Sequence, residues 1–137
     1  MKRFVFLCLT FFLSLTLLAQ DKPVKIVFDV TSGDQDVHST AIRHVKAMSE
    51  AYPQSQFEVV MYGGSVDMAL KDKSSVKGAV WELAKKGNVT FVVCEGTLKR
   101  HNIDASALID GVKTVPDGIV EIYNKQQEGW GYIKEVK

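Results

Sequence analysis

Val89-Thr-Phe-Val-Val-Cys-Glu-Gly-Thr-Leu-Lys-Arg-His101 is the stretch on which the fold turns. Phe91-Val92-Val93 is an aromatic and β-branched run, preceded by the turn pair Gly87-Asn88 and cut off by Cys94 and then Glu95-Gly96-Thr97. That pattern predicts a buried strand whose last residue is a thiol, followed by a loop. In open α/β sheets, ligands and chemistry gather just beyond the carboxyl ends of the strands. Cys94 is therefore a candidate nucleophile. Its other reading is a small buried hydrophobe, since cysteine is among the most buried residue types.

Working outward, the same punctuation recurs. Lys25-Ile-Val-Phe-Asp-Val-Thr31 reads as a strand, broken by Ser32-Gly33-Asp34. Asp36 is then expected to cap a helix reaching Tyr52, because Val37, Ala41, Val45, Met48 and Tyr52 share one apolar face. Phe57-Glu-Val-Val-Met-Tyr62 is a second strand ended by Gly63-Gly64, and Val66–Leu70 holds one or two helical turns. A firmer helix starts at Ser74-Ser75, turns Val76, Val80, Leu83 and Ala84 inward, and stops at Gly87-Asn88. After the thiol come a short helix over Asp104–Ile109 and a strand over Val112–Val115. A helix through Ile119, Ile122, Tyr123 and Gln126 follows, then the break Gly129-Trp130-Gly131 and a last strand over Tyr132–Val136. Strands and helices that alternate in this way predict a mostly parallel five-stranded sheet with helices on both faces.

The first residues stand apart from this domain. Lys2-Arg3, the apolar run Phe4–Leu18 and the polar Asp21-Lys22-Pro23 have the layout of a secretory signal peptide over residues 1–20. The apolar run is shorter than the roughly 20 residues a bilayer span needs. The expectation is a single domain over 21–137, exported to the periplasm or secreted, with no membrane attachment once the leader is cleaved. The chain has 17 basic and 16 acidic side chains, and Lys2 and Arg3 lie in the leader, so the domain carries 15 against 16. That balance points away from nucleic acid and anionic membranes. The domain keeps one cysteine, Cys94, so the thiol is either buried or used.

The ends of the first three strands should lie along one sheet edge. That edge collects Thr31–His38, Tyr62-Gly63-Gly64 and Cys94-Glu95-Gly96-Thr97. Gly63, Gly64 and Gly96 permit close approach of backbone N–H groups to an anion. His38 and His101 are the candidate helpers for the thiol, since a nearby histidine lowers a thiol pKa or shuttles its proton. His44 reads as an ordinary surface residue. Glu95 would raise the thiol pKa unless its carboxylate turns away. Trp81 and Trp130 read as core or subunit-contact residues. No metal-ligand spacing, dinucleotide fingerprint or P-loop is present in the sequence, and no cofactor is expected.

With these elements placed, the chain resembles the DsrE/DsrF-like family, which includes small YchN-like proteins. The resemblance rests on Val27-Phe28-Asp29-Val30 leading to Val37-His38, on Val59-Val60-Met61-Tyr62-Gly63-Gly64 and on Val93-Cys94-Glu95-Gly96-Thr97-Leu98. Val115-Pro116-Asp117-Gly118-Ile119-Val120-Glu121-Ile122 and Gln127-Glu128-Gly129-Trp130-Gly131-Tyr132-Ile133 extend it over nearly the whole domain. The resemblance implies a homotrimer or hexamer. In the sulfur-relay members it implies a cysteine at the Cys94 position that bears a persulfide and exchanges sulfur with a donor or acceptor protein. Two functions compete. One is a thiol-dependent sulfur carrier, with Cys94 as nucleophile and His38, Gly63, Gly64, Glu95, Gly96, Thr97 and His101 around it. The other is a non-catalytic oligomeric module for a small ligand or a protein, with Cys94 buried.

Overall fold

A computed structural model of the chain describes residues 22–137. The leader expected over 1–20 lies outside the described residues. Five strands form one sheet: β1 (Lys25–Val30), β2 (Gln56–Met61), β3 (Val89–Cys94), β4 (Lys113–Val115) and β5 (Gly131–Glu135). Their spatial order is β4-β3-β2-β1-β5, and every neighbouring pair is parallel. The sheet is thus parallel throughout, where the sequence promised only a mostly parallel one. Val59 is in register with Phe28 on one side and Phe91 on the other. The three inner strands read as apolar runs because both of their faces are covered.

The two faces are covered unequally. Alternation along the strands sends Phe28, Val30, Phe57, Val59, Met61, Phe91 and Val93 to one side. There they meet α1 (Gln35–Ala51) through Val37, Ala41, Ile42 and Val45, and α2 (Lys77–Ala84) through Val80 and Leu83. Leu98 of α3 (Glu95–Arg100) and the 3-10 segment Gly63–Ala69 complete this core. Phe28, Phe57 and Phe91 are essentially inaccessible; burying each such side chain contributes about 1.5–3 kcal/mol. The opposite face carries Val27, Val60 and Val92 and is covered by α4 (Gly118–Gln127) alone, through Ile122. Ile119, Val120 and Tyr123 of α4 point outward and are exposed.

Three local expectations change. The cap of α1 is Asp34, two residues before the expected Asp36; its carboxylate accepts the Asp36 N–H at 2.8 Å, and the helix starts at Gln35. The loop expected after Cys94 is the six-residue helix α3. The short helix expected over Asp104–Ile109 is only a 3-10 turn, Ala105–Ala107, capped by Asp104. Helices this short have little stability of their own and are set by tertiary packing, so periodicity does not reveal them.

The thinly covered face holds two buried carboxylates. Glu58 pairs with Lys125 of α4 at 3.1 Å. Burial pushes the Glu58 carboxyl up to about 6, against the opposing pull of Lys125. Asp29 accepts the Tyr132 hydroxyl at 2.7 Å, the Lys134 ammonium at 3.1 Å and, more loosely, the Tyr62 hydroxyl at 3.4 Å. Trp130 lies half-buried beneath Lys125, whose Nζ stands 4.5 Å from the ring centroid.

Candidate functional site

Strand parity fixes where the thiol points. Val93 enters the main core, so Cys94, the next residue, faces the α4 side of the sheet. Cys94 is in register with Val115 of β4, and the chain turns from there through Pro116 and Asp117 into α4. Asp117 caps that helix, accepting the N–H groups of Ile119 at 2.8 Å and Val120 at 3.1 Å. Gly118, the first helical residue, is thereby brought against the sulfur. A Cβ at Gly118 would lie 3.2 Å from the Tyr62 ring and 3.4 Å from the Cys94 Cβ. A side chain here would require its neighbours or the helix start to give by a few tenths of an ångström.

Cys94 is 8% exposed. Burial pushes its pKa up. The N–H of Gly118, the N–H and hydroxyl of Thr97, and the N–H of Gly96 outweigh that push and hold the thiol below its ordinary 9.0. Cys94 is also the residue that precedes α3, and its side chain makes no formal capping hydrogen bond. Charge on the sulfur would strengthen hydrogen bonds from these groups.

Thr97 is buried, and its Oγ1 accepts the Gly63 N–H at 3.1 Å. The Gly63 amide is therefore engaged by Thr97 and not by the sulfur. Gly63 has φ +61, a conformation glycine adopts without strain. A Cβ at Gly64 would lie 3.0 Å from the Gly33 nitrogen and 3.1 Å from the Thr31 carbonyl oxygen. Gly64 thus serves the close packing of the loops after β1 and β2. Of the three glycines expected to cradle an anion, Gly96 is the one that faces the sulfur.

The histidines lie elsewhere. His38 is buried in the first turn of α1, and its Nε2 stands 2.7 Å from the Ser32 carbonyl oxygen. A carbonyl only accepts, so this nitrogen carries the proton. α1 packs on the opposite face of the sheet from the thiol. His101 follows the last residue of α3, seven residues from Cys94, or roughly 10 Å along the helix axis. His44 binds Glu135 at 2.9 Å. The expectation of a histidine helper is not met: the groups acting on the sulfur are backbone amides and a threonine hydroxyl. Glu95 turns its carboxylate to the Thr114 hydroxyl at 3.0 Å, toward β4.

The sequence reading placed Tyr62 at this edge but gave Tyr62, Asp117 and Gly118 no part in the site. Two signals could have found them. Tyr62 and Cys94 each lie two residues beyond the paired Val60 and Val92, so they share a face. Pro116-Asp117-Gly118 is a helix start placed at the end of β4, beside β3. The Tyr62 hydroxyl is pushed up first by burial, then by the charge of Asp29 and its bond to it, with smaller pushes from Asp117 and Cys94. Tyr62 thus stays protonated and forms the wall between the thiol and the Asp29, Tyr132 and Lys134 cluster. Among the described residues no group of His, Cys, Asp and Glu side chains converges as a metal site.

The DsrE/DsrF-like family model matches residues 15–134. Among solved structures, a protein of unknown function from Methanobacterium thermoautotrophicum is 31% identical, with a TM-score of 0.76. That match covers 81% of this chain and 98% of the other. The ychN protein from E. coli is 17% identical with a TM-score of 0.68, covering 83% and 99% of the two chains. A conserved protein of unknown function from Bacteroides thetaiotaomicron is 15% identical with a TM-score of 0.67, covering 80% and 93%. These last two are similar in fold. A comparison with curated proteins returns no match.

Proposed function

Because this chain belongs to the DsrE/DsrF-like family, which is associated with sulfur relay, we propose that it is a sulfur carrier holding sulfane sulfur on Cys94. The observation that supports this reading best is the set of donors around the sulfur: three backbone amides and one hydroxyl that favour the thiolate. The thiolate attacks the outer sulfur of a donor persulfide, R–S–SH. The donor S–S bond breaks, a new S–S bond forms to Cys94, and R–S⁻ leaves. The proton stays on the outer sulfur, and no external oxidant or reductant is consumed. Release to an acceptor thiolate is the same exchange in reverse. The donors that hold the thiolate serve again when Cys94 leaves in that second step.

The outward face of α4 supports a further part of the reading. Ile119, Val120 and Tyr123 are exposed side by side on the helix that begins at the thiol. Contiguous apolar surface of this kind marks an association site. We assign it to a homo-oligomer, trimeric or hexameric, with a sulfur donor or acceptor protein approaching the thiol. In our reading this exchange takes place in the envelope or outside the cell, which the leader-like sequence of residues 1–20 supports.

One observation favours a second reading. Cys94 is only 8% exposed, as in an oligomeric binding module whose thiol is inert. Intact-mass measurement separates the two. After incubation with a small-molecule persulfide, the folded protein should gain one sulfur atom that a reductant removes, and Cys94→Ser should gain none. A folded protein that stays unmodified, while the unfolded chain reacts, refutes the carrier and leaves the module.

A further inference from the structure

Trp81 stands on the solvent side of α2. At 42% exposure it is not the core residue that its size suggests. Lys85 Nζ lies over its ring. The ring also borders a cavity of about 400 Å³, lined by Lys71, Lys77, Gly78, Trp81, Ile109 and Asp110. Small-molecule sites run from about 300 to 1,000 Å³.

The cavity is a wedge with firm walls. The wall facing α2 is the short antiparallel bridge between Leu70 and Leu108. The Lys71 N–H donates to the Ala107 carbonyl and the Ile109 N–H to the Ala69 carbonyl, each at 2.9 Å. At the C-terminal end of α2 the turn at Gly111 closes on the helix: a Cβ there would lie 2.9 Å from the Ala84 Cβ. At the N-terminal end a Cβ on Gly78 would meet nothing within 4 Å. Alanine would fit at that position and is the better helix former. Glycine instead leaves the approach to the indole clear, because residues three apart share a helix face.

The lining selects an occupant. Ile109 supplies an apolar floor and Trp81 a flat wall, on which an aromatic body stacks. Lys71 is engaged by Asp110 at 3.0 Å and by the Ser106 carbonyl at 3.3 Å. Lys77 has no ion-pair partner among the described residues. The rim thus sets two ammonium groups against one carboxylate, and the spare charge is on Lys77. We infer that this wedge binds a flat aromatic carboxylate, with its ring against Trp81 and its charge beside Lys77. The site lies on the α1 and α2 side of the sheet, across from Cys94, and does not rest on the sulfur-carrier reading.

The test is a titration of the folded protein with naphthoate, followed by amide and indole resonances. The Trp81 indole N–H and the amides of Lys77, Gly78 and Asp110 should shift together and saturate, with a Kd of about 1 mM for a ligand of this size. Neutral naphthamide should bind about threefold more weakly, the worth of one exposed ion pair. Lys77→Gln should erase that preference. Gly78→Leu should fill the approach and abolish the shifts while the rest of the spectrum stays native; if that variant fails to fold, the comparison of acid with amide decides alone. The proposal is overturned by the absence of saturable shifts, by equal affinity for acid and amide, or by shifts centred on α4. It is overturned too if the Trp81 resonance moves with protein concentration and Trp81→Ala loses an oligomer, which would make this face a contact between copies.

Discussion

Gly118→Ala isolates the contribution of α4 to the thiol. The new methyl would sit 3.2 and 3.3 Å from two Tyr62 ring carbons and 3.4 Å from the Cys94 Cβ. Those separations require a few tenths of an ångström of movement. Tyr62 is braced, because its hydroxyl leans on Asp29 and its ring flanks Gly118. The start of α4 should therefore lift, drawing the Gly118 N–H off the sulfur. A hydrogen bond to a charged group is worth about 1.5–3 kcal/mol. Losing around half of it raises the thiol pKa by about one unit, at about 1.4 kcal/mol per unit. Stability should change little, since alanine is the better helix former by up to about 1 kcal/mol, which offsets the crowding. The assay is the rate of iodoacetamide alkylation against pH, with urea unfolding run in parallel. The expected result is a midpoint about one unit higher, roughly tenfold slower alkylation at neutral pH and a nearly unchanged unfolding free energy. An unmoved midpoint would show that the α4 amide does not hold the sulfur.

Three further outcomes are expected. His38→Ala and His101→Ala should leave the alkylation midpoint where it is, while His38→Ala alone lowers stability by about 1–3 kcal/mol through the lost bond to Ser32; a midpoint shift in either would restore a histidine helper. Glu58 is raised from 4.5 to about 6, so the folded state binds its proton more tightly than the unfolded one. Its stabilising effect is full below pH 4.5 and is lost as pH rises through about 6. Denaturant unfolding should show about 1–2 kcal/mol of this decline, and Glu58→Gln should flatten it; an unchanged slope in the variant argues against burial as the cause. Asp117→Ala removes the acceptor of two α4 amides. It should cost about 1 kcal/mol by thermal unfolding and raise the thiol midpoint as well; a cost without a midpoint shift would separate the cap from the thiol.

The layout of the fold was largely legible. Runs such as Lys25–Thr31 and Val89–Cys94 announce themselves by β-branching, and the spacing of Val37, Ala41 and Val45 leaves α1 little alternative. The position of the thiol at a strand end was legible too, because Cys94 closes the apolar run of β3. What surrounds it was not. His38 lies near the correct edge but under the wrong face, and nearness along the chain carries no information about faces. Gly118 reaches the sulfur only because β4 pairs beside β3, a register that sequence patterning does not supply. Thr97 reads as a loop residue until the six residues after Cys94 are seen to be helical.

The donors around Cys94 come from stretches that meet only in the finished molecule. Gly96 and Thr97 are near neighbours in the chain, but Gly118 arrives through β4, and Gly63, which orients Thr97, through the turn after β2. An unfolded or half-assembled chain therefore carries an ordinary cysteine, mostly protonated at neutral pH. The ionisation of the sulfur is a gauge of maturation: its pKa is drawn below the ordinary value only when the last elements dock, and a misassembled copy keeps that of a free thiol.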